Sequence, residues 1–414
     1  GQADRSTSHI LVGRALLAHY QNTDTLSDHL FEIIQQFNQA SPAAIENSER
    51  DLLVELNVSA GRKARGSGAA VNALGHYRMA LELLAGSALA SSPQAGFELT
   101  RETAETAYLA ADFAQLDKLL ESLEQFRLDP VDAARVQELH IQGLLARNRL
   151  SEGLSIGEAT LKNLGVDLEP LSPPEHWPVV PQLAELDLAP LDNARIDTAL
   201  RVLVWLTPCA YITSFEMYAR IILTMVALAR QHPASPLTPI SYTNYGLTLC
   251  GTGNPEQGFA AGELAIALSQ RVGDEPLRCK VWTLVYGFLQ HWKQPLANSL
   301  PPLLKTVEDC LLCGDQEYLG YASFLYCDKA WSLDQLSSLE GVHSRHSHLV
   351  EQFGHDFSWR HCLVWLQTIQ SLRGKASSPL RLRGETFDER TDIALMEKAS
   401  NSFSLFTAHT LMAF

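Results

Sequence analysis

Residues 273–292 read GDEPLRCKVWTLVYGFLQHW, and the pattern that they begin returns twice further along the chain. The dipeptides Gly273-Asp274, Gly314-Asp315 and Gly354-His355 each close a long segment with apolar periodicity, at intervals of 41 and 40 residues. A period near 40 residues, with two helices in each unit, is typical of a helical repeat array. Because such a unit cannot bury its apolar faces alone, neighbouring units must stack on one another.

One unit of the pattern predicts two helices. The first covers residues 278–292, and its apolar face carries Val281, Val285, Phe288 and Trp292. The second helix carries Leu300, Leu303, Leu304, Val307 and Leu311 on one face. Two prolines at its start fit only in a first helical turn, and Gly314 suits a left-handed C-terminal cap.

Shorter signals extend the helical pattern over the rest of the chain. The turns Ala111-Asp112-Phe113 and Asn148-Arg149-Leu150 lie 37 residues apart, close to the tetratricopeptide period. Gly258 and Ala265 place two small residues where the helices of a tetratricopeptide unit cross. The sequence therefore predicts an all-α, tetratricopeptide-like, right-handed superhelix of stacked antiparallel helical hairpins.

Prolines divide the predicted array. Six of them crowd the stretch between residues 165 and 193 and exclude a long helix. We therefore expect an N-terminal helical-repeat array over residues 1–165, a proline-rich connecting segment over residues 166–193 that packs on the array, and a C-terminal array over residues 194–414. The apolar content of the segment predicts a buried Trp177 and a short helix near residues 180–186, with a flexible hinge as the alternative.

The end of the chain predicts a loop and a further hairpin. Residues 374–392 carry charges of both signs and are expected to form an exposed loop. Residues 393–414 begin another hairpin. Because the chain stops on Phe414, inside an apolar helix, we expect a fragment truncated at its C-terminal end.

Composition argues against several classes of protein. The chain has 414 residues, of which 46% are hydrophobic, so it can bury a large core. Its formal charge of -15 opposes binding to nucleic acid or to an anionic membrane. Charged residues and a proline interrupt the longest apolar run, so no membrane insertion is expected. Seven cysteines scattered among apolar helices indicate reduced core residues of a cytoplasmic protein.

A basic stretch has the composition of a phosphate loop but not its order. Residues 61–68 read GRKARGSG, whereas a phosphate loop needs Gly-Lys-Ser/Thr after a strand. The stretch is therefore predicted to be a basic helix end, without a nucleotide cofactor. Its cations Arg62, Lys63 and Arg65 are candidates for holding an acidic partner.

Histidines and cysteines raise two further kinds of site. His343 and His346 are neighbours on one helix turn and, together with Cys362, are candidate metal ligands. Solvent-facing histidines in a repeat are the simpler interpretation. The spacing Cys310-Leu-Leu-Cys313 occurs in redox motifs, but the pair lies on an apolar helix without a second pair, which favours core thiols. No catalytic residue is assigned.

Several segments together resemble one family. They are residues 9–17 (HILVGRALL), 29–38 (HLFEIIQQFN), 55–64 (ELNVSAGRKA), 80–84 (ALELL), 288–292 (FLQHW) and 382–385 (LRGE). The set resembles the helical-repeat region of the large STAND-type signalling ATPases, whose members include multidomain sensor histidine kinases and serine/threonine kinases. In that family an ATPase module precedes this region, and GAF, histidine-kinase or other output domains follow it.

The resemblance implies a non-catalytic sensor or interaction module. Such a module binds a peptide, a protein or a small ligand on a superhelical surface and regulates attached ATPase or kinase domains. The alternative from another class is a metal-dependent helical-repeat enzyme that uses the cluster between His343 and Cys362. Nucleic-acid binding through Arg62, Lys63, Arg65 and the loop at residues 373–383 is a third interpretation, which the net charge opposes.

Overall fold

The computed structural model describes residues 2–21, 23–189, 193–353, 356–376, 381–399 and 401–413. Across these residues the chain folds into 19 α-helices and contains no β-strand, so the expected all-α class is confirmed. None of the described helices is both long and apolar enough to cross a lipid bilayer. Gly354, His355 and Phe414, which entered the sequence predictions, lie outside the described residues.

The helices divide between two compact units. The first unit comprises Gly1–Asp167 and Pro208–Thr213, and the second comprises Leu168–Thr207 and Ser214–Phe414. The helices of the first unit are α1 (Gln2–Tyr20), α2 (Leu26–Asn38), α3 (Asn47–Gly66), α4 (Ala70–Leu84), α5 (Pro93–Leu109), α6 (Phe113–Leu123), α7 (Pro130–Ala146) and α8 (Leu150–Asn163). The division falls within α9 (Ala194–Thr213). The helices of the second unit are α10 (Phe215–Gln231), α11 (Thr238–Gly251), α12 (Pro255–Ser269), α13 (Glu275–Leu284), α14 (Leu300–Cys313), α15 (Gln316–Trp331), α16 (Leu336–Gln352), α17 (Asp356–Leu372), α18 (Glu389–Lys398) and α19 (Ser402–Ala413).

Consecutive helices pair into antiparallel hairpins within each unit, as the sequence predicts. In the first unit, α2, α3 and α4 share one core that buries Ile33, Phe37 and Tyr77. In the second unit, α11 and α12 cross most closely at Gly258, where an added Cβ would lie 2.8 Å from the carbonyl oxygen of Gly246. A small residue is therefore required at Gly258, as the tetratricopeptide pattern predicts.

Seven helix ends share one backbone conformation. Ala111 and Asn148 adopt left-handed φ angles of 55° and 59°, and glycine does so at five further helix ends. The amide after the left-handed residue then donates to the carbonyl five residues before it, as Asp112 does to Ala107 at 2.9 Å. This is the hydrogen bond of the Schellman motif, which satisfies the last carbonyls of a helix. The predicted turns around residues 111 and 148 are thus confirmed.

Replacing Ala111 with glycine is expected to stabilise the first unit by about 1 kcal/mol. A residue with a Cβ pays roughly 1–2 kcal/mol in the left-handed region, whereas glycine adopts it freely. The matched control is Ala110→Gly, because Ala110 has a φ of -82° and gains nothing from glycine. Thermal unfolding followed by circular dichroism compares the two variants. An unchanged or lowered midpoint for Ala111→Gly would contradict the prediction.

The proline-rich segment packs on helices of the second unit. Trp177, which the sequence analysis expects to be buried, is 7% exposed. The hydroxyl of Tyr245 on α11 donates to the carbonyl oxygen of Pro178 at 2.5 Å. One short 3₁₀ turn, Leu183–Glu185, forms within residues 180–186. Residues 190–192 of this segment lie outside the described residues. These contacts order the described part of the segment against α11.

The helix predicted over residues 278–292 is not regular. It runs as α13 to Leu284, continues as a π-helical turn over Val285–Leu289 and ends in a 3₁₀ turn. The wider turn shifts the phase of the apolar face. Leu289 is therefore buried, whereas Phe288 and Trp292 are 38% and 48% exposed. The expected stripe holds at Val281 and Val285 and is wrong at the two aromatic residues.

The loop predicted over residues 374–392 is anchored rather than fully exposed. Leu382 and Phe387 are buried in a small core with Met396 of α18. The carboxylate of Glu389 accepts a hydrogen bond from the amide of Leu382 at 3.0 Å, so the turn closes on the first residue of α18. The prediction of an exposed loop rests on the charged residues of this stretch and does not include Leu382 and Phe387 as core residues. Residues 377–380 lie outside the described residues.

Candidate functional site

A groove of about 380 Å³ lies in the first unit between α3 and α5. Its volume is within the range of roughly 300–1,000 Å³ that ligand sites occupy. The aliphatic part of its lining consists of Val54, Val58, Leu84, Leu89, Ala95 and Leu99. The polar part consists of Glu55, Ser59, Arg62, Glu98 and Glu102. The groove therefore combines an apolar floor with a charged rim.

Helical geometry explains why the two kinds of side chain separate. Val54 and Val58 are one turn apart on α3, so they lie on the same face of that helix. Leu99 comes from α5, which begins at Pro93 after the cap residue Ser92, whose hydroxyl accepts a hydrogen bond from the Ala95 amide at 3.3 Å. The start of α5 is thus fixed at the position where its side chains face α3.

One carboxylate on the rim, that of Glu102 on α5, accepts hydrogen bonds from side chains of two other helices. Both carboxylate oxygens of Glu102 accept hydrogen bonds from Arg62, at 2.5 and 3.0 Å, and Tyr77 donates to the same carboxylate at 2.9 Å. Burial raises the pKa of Glu102, but the hydrogen bonds from Arg62 and Tyr77 more than offset it, so the pKa is lowered. Burial also raises the pKa of Tyr77 to about 12. Glu102 is therefore ionised and Tyr77 neutral at neutral pH.

A second ion pair extends this rim along the same two helices. Arg65 lies 3.2 Å from the carboxylate of Glu105, which also pairs with Arg101. Arg101 in turn binds Glu98 at 2.7 Å. The guanidinium groups on the rim are thus neutralised by carboxylates from the neighbouring helix or from their own.

The structure separates the three cations proposed as a partner site. Arg62 and Arg65 face α5, each paired with a carboxylate 40 residues later in the sequence. Lys63 lies on another side of α3, where its ammonium group donates to the carbonyl oxygen of Ser27 at 2.7 Å and stands over the ring of Phe31. The three cations do not form one basic patch.

The sequence analysis missed the acidic partners on α5. The signal was available, because the separation of 40 residues matches the period of the repeat. Residues one period apart occupy equivalent positions in neighbouring units. Opposite charges at that spacing therefore predict a pair across the two helices.

Residues 61–68 lie at the end of α3 and in the turn after it, as the predicted basic helix end requires.

One groove carboxylate stands apart from these pairs. Glu55 lines the groove and is exposed. Three carboxylates and one guanidinium line the groove in total. Because Arg62 is matched by Glu102 and Glu98 by Arg101, Glu55 gives the groove its electrostatic preference for a cationic group.

The candidate metal ligands of the second unit lie in its core. His343 and His346 are buried between helices, not facing solvent as the simpler interpretation supposed, and Cys362 is buried as well. His361 Nε2 lies 3.0 Å from Asp328 Oδ1. No group of three or more His, Cys, Asp or Glu side chains in the described part of the chain is placed to hold a metal ion. The metal-dependent enzyme therefore has no geometric support among these residues.

The cysteine pair is part of a larger set of thiols. Cys310 and Cys313 end α14, and the structure brings Cys279 of α13 against them, with its Sγ 4.0 Å from the Sγ of Cys313. The sequence analysis found no second pair because Cys279 lies 34 residues away. Only the packing of α13 on α14 makes the three thiols neighbours.

No family model matches the chain. Among curated proteins it is similar to hybrid signal transduction histidine kinase G of Dictyostelium discoideum, with 21% identity over 343 residues. The match covers 71% of this chain and 10% of that protein. The chain thus spans about a tenth of the curated relative that it matches. This similarity to a signal-transduction protein agrees with the resemblance drawn from the sequence.

Among solved structures the chain is similar to a signal transduction ATPase with numerous domains (STAND) protein with a tetratricopeptide repeat sensor from Pyrococcus horikoshii. The identity is 12% and the TM-score 0.47, over 95% of this chain and 53% of the other. The chain therefore spans about half of that protein's length. Both relatives are signal-transduction proteins by name.

Proposed function

We propose that this chain is a non-catalytic, cytoplasmic binding module of a longer signal-transduction protein, and that the α3–α5 groove holds its ligand. The proposed ligand is a peptide segment in which an aliphatic side chain stands beside a lysine or an arginine. The observation that supports this choice is the groove itself, with its aliphatic floor and a rim on which carboxylates outnumber cations.

The two parts of the groove would contribute differently to binding. Burying one leucine or valine side chain against the floor contributes roughly 1.5–3 kcal/mol. The exposed Glu55 carboxylate would pair with the lysine or arginine of the peptide. Such a pair contributes at most about 1 kcal/mol, because water screens it. Apolar burial would therefore provide the affinity, and charge would select among aliphatic peptides.

Sequence similarity supports the signalling context. The chain matches about a tenth of a hybrid histidine kinase, and we propose that ligand binding here regulates ATPase or kinase domains attached to it. All seven cysteines are free thiols, which supports a reducing compartment such as the cytoplasm. Stacked helical hairpins without an assigned catalytic group support a binding role rather than a catalytic one.

An array of random dodecapeptides probed with the purified chain tests the proposal. Bound sequences are expected to be enriched in leucine, isoleucine or valine next to lysine or arginine. Ala95→Phe fills the groove and is expected to reduce binding of the selected peptides at least about tenfold, the equivalent of roughly 1.4 kcal/mol. Glu55→Gln is expected to reduce it by a smaller factor and only for the cationic peptides.

Two controls separate the groove from the rest of the surface. Ala114→Phe makes the same change at an exposed position of α6 that does not line the groove, and Glu121→Gln removes an exposed charge on the same helix. Both are expected to leave peptide binding unchanged. Enrichment of acidic peptides would instead support the acidic partner expected for Arg62, Lys63 and Arg65. Binding that survives Ala95→Phe would exclude the groove.

A further inference from the structure

Three thiols meet where α13 packs on the last turn of α14. Cys279 and Cys310 are buried, and Cys313 is half-buried. The Sγ atoms of Cys279 and Cys313 are 4.0 Å apart, and the thiol of Cys313 donates to the carbonyl oxygen of Cys310 at 3.7 Å. A disulfide requires about 2.05 Å between sulfurs, so these thiols are reduced but need only a small movement to bond.

We propose that Cys279 and Cys313 form a peroxide-responsive thiol pair, in which a hydroperoxide oxidises Cys313 and Cys279 then closes a disulfide. Exposure, not thiolate character, selects Cys313 for the first step: burial raises the pKa of its thiol, but it is half-buried at the end of α14, beside the exposed Leu312, where a small oxidant reaches it. Cys279 is the sulfur within reach of the product. The site is independent of the groove in the first unit.

The environment of Cys279 favours its role in the second step. Its thiol is hydrogen-bonded with Cys310, and this bond, together with a contact from Cys313, lowers the pKa of Cys279 against the opposing effect of burial. The thiolate is the form that attacks sulfur. The pKa of Cys310 is raised by the same hydrogen bond, so Cys310 acts as the donor and remains a thiol.

The chemistry balances with one hydroperoxide. The Cys313 sulfur attacks one peroxide oxygen, an S–O bond forms as the O–O bond breaks, and the departing oxygen takes up a proton as an alcohol or water. The Cys279 thiolate then attacks the Cys313 sulfur, so that an S–S bond forms and the oxygen leaves as water. Two thiols lose two electrons to the peroxide in total, and exchange with a dithiol reverses the change.

A second pair of thiols in the same unit provides an internal control. Cys327 and Cys362 contact each other through a side-chain hydrogen bond, yet both are fully buried. Oxidation follows exposure as well as thiolate character. The proposal therefore requires that peroxide oxidise the Cys279–Cys313 pair and leave the Cys327–Cys362 pair reduced.

Peptide mapping of the full chain after treatment with hydrogen peroxide tests this. Free thiols are alkylated before digestion, and glutathione in the same tube serves as an exposed-thiol standard. The expected product is one peptide pair joined through Cys279 and Cys313, two hydrogens lighter than the reduced peptides. Cys313→Ser is expected to leave Cys279 alkylatable. Cys310→Ala is expected to slow closure at least roughly threefold, because Cys279 loses the donor that stabilises its thiolate. Cys209→Ala, at a buried cysteine of the first unit, is expected to change nothing.

Three results would overturn the proposal. The first is that Cys279 and Cys313 stay reduced while the glutathione standard is oxidised. The second is a disulfide that joins Cys310 to either neighbour, or Cys327 to Cys362, at the same rate. The third is conversion of Cys313 to a sulfinic acid with Cys279 still free. Circular dichroism of Cys313→Ser and Cys310→Ala confirms that each variant is folded before its rate is compared.

Discussion

Lowering the pH from 7 to about 4 is expected to destabilise the second unit by several kcal/mol, largely through two histidines. Burial lowers the pKa of His343 to about 4, and burial likewise lowers the pKa of His346 to about 4. Nδ1 of His346 has no hydrogen-bond partner among the described residues, and the hydrogen bond of His343 to the backbone of Cys327 opposes the shift less than Asp328 does. The folded unit therefore holds both imidazoles neutral in an apolar setting that opposes their protonation.

The sign of the pH dependence of stability follows from the direction of the pKa shift. The unfolded chain protonates histidine near pH 6.5, whereas the folded unit resists protonation until about pH 4. Stability is therefore fully present above about pH 6.5 and is lost as the pH falls towards 4. Each histidine removes roughly 2 kcal/mol at pH 5 and roughly 3 kcal/mol at pH 4. The nearby carboxylate of Asp328 opposes the shift of His343, and His346 and His361 favour it. Arg345 favours the shift of His346.

Tryptophan fluorescence measures this effect in the second unit alone. The chain has seven tryptophans, and all of them lie in the segments that form that unit. Urea unfolding at pH 7, 6, 5 and 4 gives the free energy of unfolding at each pH. His343→Leu is expected to remove about half of the pH dependence. His348→Leu is the control, because His348 is exposed on the same helix. A free energy of unfolding that is flat between pH 7 and 4.5 would contradict the prediction.

The burial of His343 and His346 could have been predicted from the helical period of α16. Leu339, His343, His346 and Val350 follow spacings of four, three and four on α16, which is the period of one helical face. Leu339 and Val350 are buried, as that period predicts. The two histidines share the stripe, so the same rule would have buried them, but their polarity alone placed them in solvent. Position in the period was the stronger signal, because both histidines lie on the face of α16 that packs on its neighbouring helices.

Local backbone chemistry was predictable because it depends on a few adjacent residues. Gly314 has a φ of 78°, as expected for a left-handed helix cap. The turns at Ala111 and Asn148 were found by their spacing. The π-helical turn at residues 285–289 was not predictable in this way, and Gly287 within it packs against the side chain of Leu325. An added Cβ on Gly287 would lie 2.8 Å from Leu325, and no local pattern encodes a contact made 38 residues later.

The candidate sites were harder to predict than the helices for the same reason. The groove depends on three helices and a 3₁₀ turn that meet in the folded unit. The thiol cluster depends on the alignment of α13 with the end of α14. Sequence spacing identified single members, Arg62 and the pair Cys310 and Cys313, without their partners. Pairing residues by the repeat period recovers Glu102, whereas Cys279 does not follow that period.

Replacing Gly258 with valine is expected to destabilise the second unit by at least about 3 kcal/mol. Overpacking a core usually costs roughly 1–3 kcal/mol because flexible side chains give way. Here a Cβ at residue 258 would lie 2.8 Å from the backbone oxygen of Gly246 and 2.3 Å from the Sγ of Cys250. The backbone oxygen cannot rotate aside, so α11 and α12 must separate along their whole contact.

The control for this substitution lies in the same hairpin. Gly251 ends α11, has no atom within 4 Å of an added Cβ and does not have a positive φ. Gly251→Ala is therefore expected to be neutral or to stabilise the unit by up to about 1 kcal/mol through helix propensity. Urea unfolding monitored by tryptophan fluorescence compares the two variants directly. Gly258 occupies the small-residue position of the tetratricopeptide pattern. A mild effect of Gly258→Val would therefore mean that the close crossing of α11 and α12 does not stabilise this hairpin. A large loss, with Gly251→Ala unaffected, would tie the packing of the second unit to that single backbone approach.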